Sequence, residues 1–221
     1  MVPWIFLDSA VVPGGGELRL KRRGAEFSIM LGSVELMNSR FSGSEEALAK
    51  LACARLQDRP APTVLIGGLG MGFTLRAALA DLPPKAVVVV SEIVPAVIHW
   101  ARGPMAEIFK GSLEDPRVAL HEGDVGELIE SRPAAYDAIL LDVDNGPEGL
   151  SRSDNDSLYD TRGLGLARRA LRPGGILGVW SSFRSSAFTQ RLRRAGFKVE
   201  EVTARAHAGR GAKHTLWIAV K

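Results

Sequence analysis

Cysteine is nearly missing from this chain. The single thiol, Cys53 in "EEALAKLACARL", excludes a disulfide within the chain and leaves no Cys/His spacing of the kind that holds a structural metal. It reads as a buried helical thiol. His99, His121, His207 and His214 show no ligand spacing either, so no metal is expected. No basic leader precedes "WIFLDSAVVPGG", and the early Asp8 and the prolines speak against a secretory signal. No apolar run approaches the roughly twenty residues of a membrane span; "AVVVV" is closed by Lys85 and Ser91. A cytoplasmic location without membrane contact is therefore expected. Aromatic residues are scarce in the late basic segments "RLRRAGFK" and "ARAHAGRGAKH". Only Phe188 and Phe197 lie near them, at core-type positions, so a base-stacking nucleic-acid surface is not expected. The net charge of +3 is modest, and solvated arginines explain those segments. Two phosphate-binding patterns are missing as well, G-x-G-x-x-G and G-x-x-x-x-G-K-[ST].

What remains is ample for one sizeable core, with 221 residues of which 46% are hydrophobic. Residues 1–40 alternate short apolar runs with turn signals such as "PGGG", the pattern of a small antiparallel meander. "SGSEEALAKLACARL" then opens on Ser44 with acidic residues and predicts a capped helix, and "QDRPAP" reads as a linker. From Thr63 the rhythm changes. The runs "TVLIGG", "AVVVVSE", "RVALHEGD", "YDAILLDVD" and "GILGVWS" alternate with helical segments, which predicts a parallel sheet covered on both faces. "FKVEEVTA" and "HTLWIAV" are separated only by a loop and can pair antiparallel at its edge. The division expected is a β-rich subdomain with its connecting helix over 1–58 and a nucleoside-binding α/β domain of seven strands over 59–221.

In such sheets a ligand lies beyond the carboxyl ends of the strands, over the first strand-to-helix turn. Gly67, Gly68, Gly70 and Gly72 occupy that turn in "VLIGGLGMGFTLRAAL", with Met71 among them, in a G-x-G-x-G frame. Glycines there permit positive φ and close approach of a ligand to the main chain, although tight turns alone can also use them. The second strand ends in Glu92, where a carboxylate would accept both hydroxyls of a ribose. The third ends at Asp124, placed for an adenine amino group and followed by Val125, and the fourth ends in "LLDVDNGP" with Asp142 and Asp144. Acids after three successive strands, downstream of a glycine loop, point to a ligand site rather than to solvation.

This constellation resembles the class I S-adenosylmethionine-dependent transferases and, within them, the spermidine synthase family. "IGGLGMGFTLR" is similar to the family's I-G-G-G-D-G-G-T-L-R, "VVSEIVPAVIHWAR" to V-E-I-D-x-x-V-I-x-x-A-R, and "DPRVALHEGD" to D-P-R-V-x-x-x-x-G-D. "SLYDTRGLGLARRALRPGGILGVWS" resembles the family's L-Y-T segment and its L-x-P-G-G strand entry. The likeness runs from Thr63 to about Ser181. It implies a Rossmann-like class I methyltransferase fold, a seven-stranded mostly parallel sheet with helices on both faces, preceded by a small β meander. It also implies that Gly68, Gly70, Gly72, Met71, Glu92, Asp124, Val125 and Asp142 surround S-adenosylmethionine or its decarboxylated form. Tyr159 falls in the L-Y segment and reads equally well as a packing residue.

Two departures bear on the reaction. The family's glycine loop carries an aspartate for the donor amine, and this chain has Met71, whose thioether cannot neutralise an ammonium. The family's catalytic aspartate lies three residues after the first acid of D-S-x-D, which counts to Asn145, a poor proton acceptor, with Asp144 one residue before it. Asp142, Asp144 and Asn145 are the catalytic candidates, while D-N-G-P also suits a plain turn. With both amine-holding carboxylates altered, methyl transfer to a small acceptor is favoured slightly over aminopropyl transfer to an amine. The alternatives are a nucleoside-binding scaffold that has lost its chemistry and a methyltransferase acting on RNA or protein. The N-terminal strands are candidates for pairing in a homodimer.

Overall fold

The structure, a computed structural model, describes residues 2–13, 15–143, 146–147, 156–207 and 210–221. Asp144 and Asn145 lie outside the described residues. The N-terminal strands β1 (Ile5–Val11), β2 (Glu17–Arg23), β3 (Glu26–Leu31) and β4 (Val34–Asn38) pair antiparallel in sequential order, the meander that the alternating pattern predicts. In β2, Leu18 and Leu20 point inward, while Arg19 between them and Lys21 after them are less enclosed. Leu18, Leu20, Phe27 and Ile29 join the same apolar cluster as Val64, Ile66, Val88 and Val90, so this small sheet and the larger one share a core.

The larger sheet is built from β5 (Thr63–Gly67), β6 (Val87–Glu92), β7 (Val118–Glu122), β8 (Tyr136–Leu141), β9 (Leu171–Ser181), β10 (Lys198–His207) and β11 (Arg210–Val220). Its order is β10-β11-β9-β8-β5-β6-β7, with β11 antiparallel to both its neighbours and the rest parallel. Side chains of a strand alternate between faces, and β8 shows why the apolar run was unbroken. Its Ala138 and Leu140 enter one core cluster, its Ile139 and Leu141 the other. The helices α1 (Gly43–Cys53), α2 (Phe73–Asp81), α3 (Pro95–Arg102), α4 (Ala106–Phe109), α5 (Val125–Ser131), α6 (Asp156–Tyr159), α7 (Thr161–Ala170) and α8 (Ser186–Arg194) complete the layers. None of the described helices is long and apolar enough to cross a membrane.

Chain direction locates the site. From β5 the chain steps outward through β6 and β7 and then returns to β8 on the other side of β5. The turns after β5 and β8 therefore flank the reversal, the crevice where doubly wound sheets take ligands.

The predicted cap of α1 differs from what forms. Ser42 is the N-cap and makes no side-chain cap bond. Ser44 lies within the first turn, fully buried, and its hydroxyl is drawn to Glu45 and to His214 of β11. A tertiary partner outcompetes the local one. Trp100, Phe188, Phe197 and Tyr159 are core residues; Trp100 donates its indole N–H to Asp8 at 2.7 Å, and Tyr159 meets Phe188 edge-on at 5.7 Å.

At the opposite end of β8, Asp137 is 2% exposed and accepts hydrogen bonds from Arg59 of the "QDRPAP" segment, from Arg172 at 2.5 Å and from the Thr63 amide at 2.7 Å. Removing a buried carboxylate that pairs with two guanidinium groups leaves them uncompensated. Asp137→Ala is expected to lower stability by about 1–3 kcal/mol, read as a shift of the urea midpoint.

Candidate functional site

The loop after β5 is shaped by its contacts. Gly68 has φ +89°, and a Cβ there would lie 2.4 Å from the Asp142 carbonyl; Gly72 has φ +72°, and a Cβ there would meet the Phe109 ring at 2.4 Å. Both positions require glycine for shape alone. Glu92, at the end of β6, holds the loop in place: its Oε2 accepts from the Leu69 amide and its Oε1 from the Val94 amide, each at 3.0 Å. It is 8% exposed, and burial raises its pKa while these amides act in the opposite direction. Asp124 caps α5, accepting from the Gly126 amide at 2.7 Å, and remains exposed at the cavity edge.

A cavity opens between this loop and the N-terminal sheet. Gly68, Gly70, Glu92, Asp124, Val125 and Asp142 line its floor, and Leu18, Leu31, Leu36 and Met37 line it from the N-terminal sheet and its β3–β4 hairpin. Six of the eight residues expected around a ligand thus share one concave surface. The other two, Met71 and Gly72, line an adjoining recess with Glu45, Phe73 and Trp180. Leu36, Met37, Gly70 and Asp142 border both spaces and so connect them. No lysine, arginine or histidine is among the described residues lining either one.

The recess is acidic without compensation. Asp142 Oδ2 accepts from the Thr74 hydroxyl at 2.5 Å, and the same hydroxyl lies 3.4 Å from the Glu45 carbonyl oxygen. Burial, and then the repulsion of Glu45, push the Asp142 carboxyl up to about 7. Burial also raises Glu45, against the hydrogen bond from Ser44. Among the described residues neither acid takes part in an ion pair.

The chain matches the Spermine/spermidine synthase domain over residues 43–190. It belongs to the spermine/spermidine synthase family. It is 31% identical over 126 residues to polyamine aminopropyltransferase 2 of Pseudomonas aeruginosa, covering 55% of this chain and 34% of that protein. It is 34% identical over 149 residues to the polyamine aminopropyltransferase of Mycobacterium tuberculosis, covering 63% of this chain and 27% of that one. The chain thus spans about a third or less of the length of these curated relatives. The spermidine synthase of Thermotoga maritima superposes with a TM-score of 0.76 at 17% identity, covering 98% of this chain and 72% of that one. A spermidine synthase in complex with the transition-state analogue AdoDATO gives 0.75 at 17% identity, covering 98% and 72%. These likenesses establish the same fold, the seven-stranded α/β architecture with its antiparallel N-terminal sheet.

Within this family member the Met71 side chain is 4% exposed and packs into the apolar core beside the recess, so the loop presents no carboxylate there. Ser44, Glu45, Thr74, Trp180 and His214 border or support the recess and were not legible as site residues. Thr74 alone carried a signal, as the threonine of the G-G-T-L-R segment; Glu45 looked like an ordinary first-turn acid.

Two outcomes test this electrostatic reading. In Glu92→Gln one accepting oxygen becomes an amide that opposes a backbone N–H, which should cost about 1–3 kcal/mol and lower the melting temperature. For Asp142 the raised folded pKa means that folding takes up a proton between about pH 4 and pH 7, so stability falls as pH rises through that window. Glu45, also raised, acts in the same sense. Asp142→Asn keeps an acceptor for Thr74 and removes the charge; thermal melts from about pH 5 to about pH 8 should flatten, with the variant more stable than the parent at the alkaline end.

Proposed function

We propose that this protein transfers an aminopropyl group from decarboxylated S-adenosylmethionine to a small amine, with the first cavity taking the adenosyl moiety and the acidic recess taking the charged tail. The observation that carries the reading is the lack of any cation along the described walls of both spaces, together with the uncompensated Glu45 and Asp142. S-Adenosylmethionine ends in a carboxylate and an ammonium, and its carboxylate would face these acids with no arginine or lysine among the described lining residues to receive it. The decarboxylated donor ends in an ammonium alone. Its charge complements the recess, which favours aminopropyl over methyl transfer despite the altered glycine loop. The names of the relatives support the same choice.

In this reading Glu92 accepts the ribose hydroxyls with the lone pairs its amide partners leave unused, Asp124 accepts from the adenine amino group, and Gly68 and Gly70 let the sulfonium approach the main chain. Val125 packs at the base. A sulfonium carbon is already activated, so in-line placement of the amine nitrogen supplies much of the rate. Asp142, with a pKa near neutrality, is suited to take the proton that an attacking ammonium must lose; Asp144 stays a candidate for the same work. A site that binds the nucleoside without turnover is the second reading, favoured by the enclosed Met71 side chain.

Calorimetry with decarboxylated S-adenosylmethionine, S-adenosylmethionine and methylthioadenosine tests the assignment. The decarboxylated donor should bind at least about tenfold more tightly than S-adenosylmethionine, or about 1.4 kcal/mol. Incubation with diamines should release methylthioadenosine rather than S-adenosylhomocysteine. Equal or tighter binding of the carboxylated donor would overturn the proposal, and tight binding with no product from any amine would support the second reading.

A further inference from the structure

The acidic recess contains a network that the glycine loop does not explain. Glu45 sits in the first turn of α1, and its Oε2 accepts from the Ser44 hydroxyl at 2.6 Å. The same Ser44 oxygen is 2.7 Å from Nδ1 of His214 on β11. Ser44 is fully buried, and burial lowers the His214 pKa, which keeps the imidazole neutral at neutral pH. A neutral ring protonated at Nδ1 donates to Ser44, and Ser44 donates onward to Glu45. The carboxylate is thereby oriented by two elements distant in sequence without being neutralised by either.

A second feature of the recess points to an occupant, because a buried N–H donor is left there without a partner among the described residues. Trp180, 9% exposed, lines the same space as Glu45 and Asp142, and its indole nitrogen is enclosed with no acceptor among the described residues. Its ring lies 4.7 Å from that of His214, so the network that orients Glu45 also fixes the indole. An aromatic surface beside carboxylates is an arrangement that recognises an alkylammonium.

We propose that Glu45 is the residue that binds the primary ammonium of the donor's aminopropyl tail, doing from helix α1 what Met71 in the glycine loop cannot do. The inference rests on the aminopropyl-transfer reading above and adds to it a specificity residue on a different element. The groups facing Glu45 are Asp142 across Thr74, His214 through Ser44, and Glu46 beside it in α1. None of them is a cation at neutral pH. An arriving ammonium then meets no other cation among the described residues of the recess, and it relieves the repulsion between Glu45 and Asp142.

The test uses the full chain and two ligands that differ only in the tail and the charge on sulfur. Glu45→Gln preserves shape and removes the charge, and Glu45→Asp preserves the charge on a shorter stem. Glu45→Gln should weaken decarboxylated S-adenosylmethionine at least tenfold while leaving methylthioadenosine within twofold of the parent, which also reports that the fold is intact. Glu45→Asp should lose less than Glu45→Gln, and Met71→Asp added to Glu45→Gln should recover part of the loss. Equal weakening of both ligands, no weakening of either, or equal losses in the two Glu45 variants would overturn the inference while leaving the nucleoside reading standing. Failure of the parent protein to bind either ligand would overturn both.

Discussion

The Glu92 carboxylate joins three pieces of chain at the center of this protein: the end of β6, the glycine loop through the Leu69 amide, and the approach to α3 through the Val94 amide. A carboxylate buried to this degree is stable as an anion only where donors surround it, and backbone amides provide them without a counter-ion. The loop is thus held open above the sheet rather than collapsed onto it. Gly68, tight against the Asp142 carbonyl, then brings the ends of β5 and β8 together. The cavity is a consequence of these constraints.

The N-terminal sheet has a structural and a site role at once. Its inward leucines and isoleucine enter the common core, and Leu36 and Met37 border both the cavity and the recess. A short meander of this size would be marginal alone, because few strands bury too little apolar area. Packed on the larger sheet it becomes one wall of the site. Changes in that wall would be felt in ligand binding as well as in stability.

Charge separates the two halves of the site. In the cavity, Glu92 and Asp124 are engaged by backbone amides and have capacity left for hydroxyl or amino donors. In the recess, Asp142 accepts from the Thr74 hydroxyl and Glu45 from the Ser44 hydroxyl, neither is in an ion pair among the described residues, and both pKa values are raised. A neutral, polar nucleoside suits the first environment and an alkylammonium the second. The glycine loop contributes no acid to the recess, whereas Glu45 of helix α1 does.

The amino-acid sequence by itself determined the alternation of strands and helices, the glycine turn, and the carboxylates at the strand ends, because periodicity and turn chemistry are local properties of the chain. It also carried the family, since Gly68, Glu92, Asp124 and Asp142 stand in ordered, recognisable motifs. It could not place Ser44, whose hydroxyl bypasses the helix cap for His214, 170 positions away. Nor could it show that Glu45 and Asp142 flank Thr74, or that Trp180 closes the same space. Those proximities exist only once α1 is laid across the sheet, and electrostatic coupling depends on distance in space, not on separation along the chain.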